Sequence, residues 1–165
     1  MENWLPELPV GRALDVACGA GRNAIFLAQA GFQVDAIDIS VAGLDQARQK
    51  AEDQSLSICW IEQDLDEVYP FDTAYDLIIV MWYVNLTLIT RLCDCLAPGG
   101  YLLSEQHLVT DKEVIGPTNP DYRVAPGELA AAVAGLDLIM LEESIVTISE
   151  TEQVASARVV ARKPI

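Results

Sequence analysis

A glycine-rich segment that follows an aspartate is the part of this sequence best suited to bind a small charged ligand. It runs Asp15-Val-Ala-Cys-Gly-Ala-Gly-Arg-Asn-Ala, with Gly19 and Gly21 at its centre. Glycine lets the backbone approach a ligand closely and adopt conformations that other residues resist. The spacing also satisfies a loose dinucleotide fingerprint, which discriminates weakly by itself. Because Asp15 would crowd a pyrophosphate but suits a cation, we expect a positively charged group at this segment.

Two further carboxylates stand where predicted strands end. Asp38 ends the second predicted strand, and Asp64 follows the third. A carboxylate about twenty residues after a glycine-rich loop accepts hydrogen bonds from ribose hydroxyls. Asp64 can accept one from the exocyclic amine of adenine. A helix cap or a solvated turn explains any one of these aspartates alone, but together they predict a site for a nucleoside with a positive tail.

Several other side chains have chemistry that a transfer reaction could use. His107, the only histidine, is a candidate general base or substrate ligand, and a surface loop position is the alternative. Tyr83 is a second catalytic candidate, because with Trp82 it could shape an acceptor pocket, although core packing explains both aromatic residues equally well. Arg123 could bind an anionic acceptor or close an irregular loop, and a plain surface arginine is the favoured alternative. Cys18 is either reactive or a small buried residue.

Alternating strands and helices must position these residues. The hydrophobic pattern predicts strands at 13–17, 32–37, 56–61, 76–81 and 101–104, and helices at 23–30, 41–51 and 86–96, the second capped by Ser40. After an irregular segment at 111–125 come a short helix at 127–134 and strand-like segments at 136–141, 144–149 and 153–162, the last two forming an antiparallel hairpin. This order predicts a single α/β domain over residues 1–165, doubly wound around a mostly parallel sheet in three α/β/α layers.

The charge and cysteine content narrow the class of partner. A net charge of −15 argues against nucleic acids and anionic membranes, and it favours a neutral or cationic small ligand, unless the acidity serves only solubility. The four cysteines, Cys18, Cys59, Cys93 and Cys95, lack a metal-ligand pattern, so we predict no metal site and reduced thiols in the cytoplasm. No apolar stretch is long enough to predict a membrane span. The oligomeric state stays open, with a homodimer as one option.

Motifs along most of the chain resemble a known family. Besides the glycine-rich segment they are VDAIDIS at 34–40, Asp64-Leu65, YDLII at 75–79, LAPGGYL at 96–102 and NPDYRVAPGEL at 119–129. Over residues 5–163 the sequence resembles class I S-adenosylmethionine-dependent methyltransferases. Within these it is similar to the small tellurite-resistance and thiopurine-type branch, in which an Arg-Asn pair follows the glycines.

The resemblance implies a fold, a cofactor and a set of contacts. The fold is a Rossmann-like sheet of seven strands with an antiparallel C-terminal strand, and the cofactor is S-adenosyl-L-methionine, which leaves as S-adenosyl-L-homocysteine. Asp15 and residues 19–21 would meet the methionine part, Asp38 the ribose, and Asp64 with Leu65 the adenine, while Met81 would lie near the methyl group. The remaining implied cofactor contacts are Cys18, Asn23 and Ile39.

The resemblance also leaves two questions open. Its members usually carry an N-terminal helical segment that closes over the cofactor, whereas only about a dozen residues precede the first predicted strand here, which predicts a shortened cap. The methyl acceptor would be a small molecule such as a thiol or a metalloid oxyanion. A non-catalytic cofactor-binding module of the same fold, or an NAD(P) oxidoreductase, are the alternative functions.

Overall fold

The computed structural model describes residues 8, 10–67, 74–149 and 152–165. Within these residues the elements are β1 (Arg12–Val16), α1 (Arg22–Gln29), β2 (Gln33–Asp38), α2 (Val41–Asp53), β3 (Ile58–Glu62), β4 (Tyr75–Met81), α3 (Leu86–Leu92), β5 (Leu96–His107), α4 (Glu128–Ala132), β6 (Asp137–Thr147) and β7 (Gln153–Arg162). The predicted shortened cap falls largely on residues 1–7 and 9, outside the described residues. No helix of the described part is long and apolar enough to cross a membrane.

The strands form one sheet whose order is β3-β2-β1-β4-β5-β7-β6. Strands β1 to β5 pair in parallel, and β7 runs antiparallel to both β5 and β6. This confirms the predicted seven-stranded, mostly parallel sheet. The strand order reverses between β1 and β4, and ligands of such sheets bind in the crevice outside the carboxyl ends of the strands at that point.

Helices cover the sheet on two faces, and each face has its own apolar core. Leu27 of α1 and Leu44 of α2 pack with Leu77 on one face. On the other face, Ile89 of α3 and Leu129 of α4 pack in a second cluster. Strands β1 and β4 lie between the two clusters, which explains why the predicted strand at 76–81 is a nearly continuous apolar run.

The third helix is shorter and the fifth strand longer than the sequence pattern predicts. Helix α3 ends at Leu92, a 3₁₀ turn follows at Cys93–Cys95, and β5 starts at Leu96. The predicted turn at Pro-Gly-Gly lies inside β5, where Gly99 has a φ of 79° and its N–H donates to the Lys163 carbonyl. A backbone partner from the end of β7 therefore keeps this kinked segment in the sheet.

The two segments predicted at 136–141 and 144–149 are one strand, β6. Glu142 and Glu143, which lie between the two predicted segments, are within the pairing with β7. Because β6 is an edge strand with an exposed face, charged side chains can occupy it without burial. The carboxylate of Glu142 also lies 3.9 Å from the guanidinium of Arg158 on β7.

Candidate functional site

The strand order brings the ends of five strands side by side. At these ends lie Asp64 after β3, Asp38 in β2, the glycine loop after β1, Met81 in β4 and His107 in β5. Because parallel strands end at the same edge of a sheet, residues far apart in sequence meet there. These five strand ends are called the row below. The structure therefore brings together the ends of the strands from which the site residues were predicted.

The two loop glycines face different surroundings. Gly19 has a φ of 54°, and a Cβ at this position would meet nothing within 4 Å. Gly21 has a φ of 74°, and a Cβ there would come within 2.7 Å of the Ala47 Cβ and the Trp60 ring. Gly19 is therefore the residue at which a ligand can approach the backbone, whereas Gly21 allows α1 to start close to α2 and β3.

Asp38 holds the glycine loop and the start of α2 together. Its Oδ2 accepts the Gly19 N–H at 2.7 Å, and its Oδ1 accepts the Ser40 N–H at 2.8 Å. Each carboxylate oxygen can accept a further hydrogen bond. The sequence predicts Asp38 as a ribose ligand, but its bond to the loop depends on the approach of β2 to β1 and has no local sequence signal.

Gly43 is a site residue that the sequence reasoning missed. It lies in the first turn of α2, where its N–H donates to the predicted cap, the Ser40 Oγ, at 3.1 Å. A Cβ on Gly43 would lie 3.1 Å from the Gly19 carbonyl oxygen. The available signal was a glycine in a helix, where it costs stability relative to alanine, so a packing reason was to be expected.

Asp15 lies beneath the loop and is almost fully buried. Asp15 belongs to β1, it is 1% exposed, and its Oδ2 has no hydrogen-bond partner among the described residues. The pKa of Asp15 is raised to about 7, chiefly by burial and also by the charge of Asp38, while the Ala24 N–H and the Arg22 charge partly oppose the rise. A buried carboxyl that titrates near neutrality would be stabilised in its charged form by a cation at the loop.

The other predicted loop contacts differ in their accessibility. Cys18 is buried, and burial together with the charges of Asp15 and Asp38 raises the pKa of its thiol. Cys18 is therefore a protonated packing residue rather than a nucleophile. Asn23 is half-buried in the first turn of α1. Ile39 is 62% exposed next to Asp38, so its apolar side chain is open to a flat ligand.

The loops after β3 and β4 are joined at the Asp64 end of the row. Asp64 is half-buried and accepts the Asp66 N–H at 2.9 Å, and Leu65 packs against the core. Tyr83 donates its hydroxyl to Asp66 Oδ1 at 3.0 Å, and the Asn85 amide donates to the same oxygen. Burial and the bond to Asp66 raise the pKa of Tyr83, so its phenol stays neutral and joins two loops.

An aromatic pair lies at the ends of β4 and β5. Trp82 has a φ of 60°, its N–H donates to the Glu105 carbonyl, and its ring centroid lies 4.3 Å from that of His107. His107 is the last residue of β5, not a residue of a surface loop. Its Nδ1 is buried and has no hydrogen-bond partner in the part of the chain that the structure describes, and burial and the charge of Arg123 lower the pKa of His107, whereas Glu105 raises it.

Arg123 closes the irregular segment that follows β5. Its Nε donates to the Pro117 carbonyl and its Nη1 to the Leu108 carbonyl, both at 2.9 Å. The N–H of the next residue, Val124, donates to the His107 carbonyl, which brings the segment back to the end of β5. The loop-closing alternative for Arg123 is therefore confirmed.

Residues 13–100 match a family model described as a methyltransferase domain. This match spans more than half of the chain, including the glycine loop, Asp38, Asp64 and Met81. The chain belongs to this methyltransferase family. The match confirms the resemblance given by the sequence motifs.

Individual relatives agree with this assignment. A putative methyltransferase of Bacillus subtilis, YqeM, is 41% identical over 80 residues, which cover 48% of this chain and 31% of that protein. The structure of TehB from Haemophilus influenzae superposes with a TM-score of 0.83 at 21% identity, over 98% of this chain and 60% of that one. The N-methyltransferase NodS of Bradyrhizobium japonicum in complex with S-adenosyl-L-homocysteine has a TM-score of 0.74 at 20% identity, over 98% of this chain and 82% of that one. The chain thus spans about a third of YqeM and three fifths of TehB.

Proposed function

We propose that this protein is an S-adenosylmethionine-dependent methyltransferase acting on a small-molecule acceptor. The observation that carries the proposal is the glycine loop within the family segment. Gly19 is open to the crevice there, and its N–H donates to the carboxylate of Asp38 at the end of the neighbouring strand β2. This loop leaves the space that a bulky cofactor needs next to the backbone.

The residues of the row suit the parts of this cofactor. Asp15, with its unpartnered Oδ2, lies under the loop that would take the cationic methionine part. Asp38 keeps acceptor capacity for ribose hydroxyls. The exposed Ile39 and the half-buried Leu65 would cover the faces of the adenine, while Asp64 would accept its amine. Cys18 and Asn23 would complete the walls of the loop.

The bound sulfonium supplies a methyl group that is already activated for in-line transfer. The contribution of the chain is then alignment of the acceptor and exclusion of water at the ends of β4 and β5. Met81 and Trp82 lie at the end of β4, where they would flank the reacting groups. A thiol or a metalloid oxyanion needs little help from a base, which agrees with the neutral, hydrogen-bonded phenol of Tyr83.

The partners follow from charge and burial. A net charge of −15 supports a small molecule over a nucleic acid as the acceptor. All four cysteines are free, and three of them are buried, as suits a chain in the reducing cytoplasm. A homodimer stays a prediction that light scattering after gel filtration would test.

A ligand panel tests the proposal against its alternatives. We expect S-adenosyl-L-homocysteine at 1 mM to raise the melting temperature by several degrees and NADH to leave it unchanged, because only the first matches the row. A shift with NADH alone would select the oxidoreductase. If the cofactor product binds but labelled S-adenosylmethionine transfers no methyl group to thiols, metalloid oxyanions, amines or phenols, the non-catalytic module would be selected.

A further inference from the structure

Three side chains and a glycine form a cluster at the outer end of the row. Trp82 directly follows β4, His107 ends β5, and Gly116 and Arg123 lie in the segment after β5. A Cβ on Gly116 would lie 2.9 Å from His107 Nδ1 and 3.3 Å from Arg123 Nη2. Gly116, with a φ of 127°, therefore lets the imidazole and the guanidinium flank one point of the backbone. None of these contacts is used by the cofactor positions proposed above.

The charge of Arg123 is not balanced by a carboxylate among the described residues. Its Nε and Nη1 are used by two neutral carbonyls, and no described residue accepts a hydrogen bond from its Nη2. By contrast, Arg12, Arg48 and Arg158 each form an ion pair. A guanidinium fixed by backbone carbonyls, with donors left over, is a ready site for a carboxylate or another oxyanion.

The environment of His107 decides which ring nitrogen carries its proton. Nδ1 is buried without a partner beside Gly116, on the side of the Arg123 guanidinium. A proton on Nδ1 would have no acceptor and would be repelled by that charge. Neutral His107 therefore carries its proton on Nε2, where the ring is a hydrogen-bond donor. Use of Nε2 as a base would leave an imidazolium with an unpaired Nδ1–H next to Arg123.

We propose that Arg123 Nη2 binds an anionic group of the methyl acceptor, with the half-exposed indole of Trp82 against its apolar body. The inference deepens the proposed function and rests on it. His107 then borders the anionic group as a neutral ring rather than acting as a general base, which was one of the two roles that the sequence suggested. The acceptor class is a small organic oxyanion, such as a carboxylate attached to a flat ring.

Because the chain has one histidine, its imidazole gives a single NMR signal that reports on this cluster. The untagged full chain, labelled with ¹³C at histidine Cε1, is titrated with benzoate, with the neutral isostere benzamide and with the cation benzylamine. We expect benzoate to move the His107 signal saturably, and benzamide and benzylamine to bind at least tenfold more weakly. Equal shifts from benzoate and benzamide would overturn the proposal.

Two variants of Arg123 test whether its guanidinium is responsible for benzoate binding. Arg123→Gln is expected to weaken benzoate binding at least tenfold, whereas Arg123→Lys, which keeps the charge, retains part of it. Arg162→Gln is the matched control, because Arg162 also donates its Nε to a backbone carbonyl, that of Gly99, at the opposite end of β5. If the variant Arg123→Gln loses the fold, the lysine variant and the three-probe comparison in the wild type still decide the question. Unchanged benzoate binding in a folded Arg123→Gln protein would contradict the proposal.

Two further measurements distinguish failure of the anion site from failure of the proposed function, and an organic acceptor from an inorganic one. The titrations are run with and without S-adenosyl-L-homocysteine. Failure of that compound to bind would sink the proposed function, whereas loss of discrimination between benzoate and benzamide would sink only the anion site. Selenite is the inorganic probe. Weaker binding of selenite than of benzoate supports a role for Trp82, and equal or tighter binding overturns that role and assigns an inorganic oxyanion instead.

Discussion

The two glycines of the loop have different roles: Gly19 gives a ligand access to the backbone, and Gly21 allows close packing. Gly19 and Gly21 both have positive φ, but only Gly21 touches neighbouring side chains where a Cβ would be. An alanine in the left-handed region costs about 1–2 kcal/mol of stability. Substitution should therefore separate the two functions of the loop.

We predict that Gly19→Ala lowers stability by about 1 kcal/mol but weakens S-adenosyl-L-homocysteine binding at least tenfold, since its methyl group would project into the open crevice. Gly21→Ala should cost about 3 kcal/mol or more, because strain adds to contacts of 2.7 Å with Ala47 and Trp60. Urea unfolding and calorimetric titration measure both quantities. Gly19→Ala with unchanged affinity would show that the ligand does not approach the loop there.

Asp15 gives a prediction about pH. Its folded-state pKa of about 7 lies above the ordinary aspartate value of 3.8, so between these pH values the folded protein holds a proton that the unfolded chain releases. The folded state is thus progressively destabilised as pH rises from about 4 to 7. Asp15→Asn removes this titration, and the melting temperature of the variant relative to wild type should increase between pH 5 and pH 8. A pH-independent difference would contradict the assignment.

The same carboxyl should make cofactor binding pH-dependent. A cationic amino-acid tail favours ionised Asp15, so affinity for S-adenosyl-L-homocysteine should rise about tenfold between pH 6 and pH 8. In Asp15→Asn the affinity should be weaker and nearly constant over this range. Calorimetric titration at three pH values measures this, and equal pH dependence in the two proteins would exclude Asp15 as the origin.

At this scale the sequence indicates residue types better than contacts. The carboxylates at 15, 38 and 64 could be picked out because strand tips and glycine spacing are local patterns. The bond from Gly19 to Asp38 and the place of Gly43 against the loop could not, because each depends on how closely two elements approach. The positive φ of Trp82 could not be predicted either, because a bulky residue rarely adopts this conformation.

Helix α2 supports the glycine loop through its first turn, although none of the proposed ligand contacts lies in this helix. Ser40 caps it, and Gly43 lets its first turn touch the Gly19 carbonyl. A Cβ at Gly43 would be tight at 3.1 Å, whereas alanine in a helix gains about 1 kcal/mol over glycine. The two effects on stability oppose each other, but only the contact affects the loop.

We therefore predict that Gly43→Ala changes stability by less than about 1 kcal/mol and weakens S-adenosyl-L-homocysteine binding severalfold. Gly135→Ala is the matched control, because a Cβ there meets nothing within 4 Å and Gly135 lies outside the row. Thermal unfolding and calorimetric titration of both variants test this. Equal affinity of the two variants would show that the loop does not depend on its contact with α2.

The boundaries of elements were less predictable than their order. Proline and glycine at 98–100 predict a turn, but partners from the end of β7 keep the segment in β5. The sequence pattern predicts two segments on either side of two adjacent glutamates, but an exposed edge position lets these glutamates stay in one strand, β6. In both cases the deciding partner, β7, follows the segment in the sequence and meets it only in the folded sheet.

At the scale of the whole molecule, the strand order turns separate motifs into one site. The tips of β3, β2, β1, β4 and β5 follow one another across the sheet, although the chain visits them in another order. The proposed sequence of adenine, ribose, methionine part and acceptor follows this row. The alternation of strands and helices made the parallel sheet predictable, since each crossover must return across a face of the sheet.

The central claim is that this row binds an adenosyl cofactor at Asp38, and calorimetric titration with S-adenosyl-L-homocysteine tests it most directly. Asp76 provides the control, because its carboxylate also accepts a backbone N–H, that of Arg12 at 2.7 Å, but at the amino end of β4. The account predicts that the wild type and Asp76→Ala bind, and that Asp38→Ala binds at least a hundredfold more weakly. Equal affinity of Asp38→Ala and the wild type, or no binding by the wild type, would contradict it.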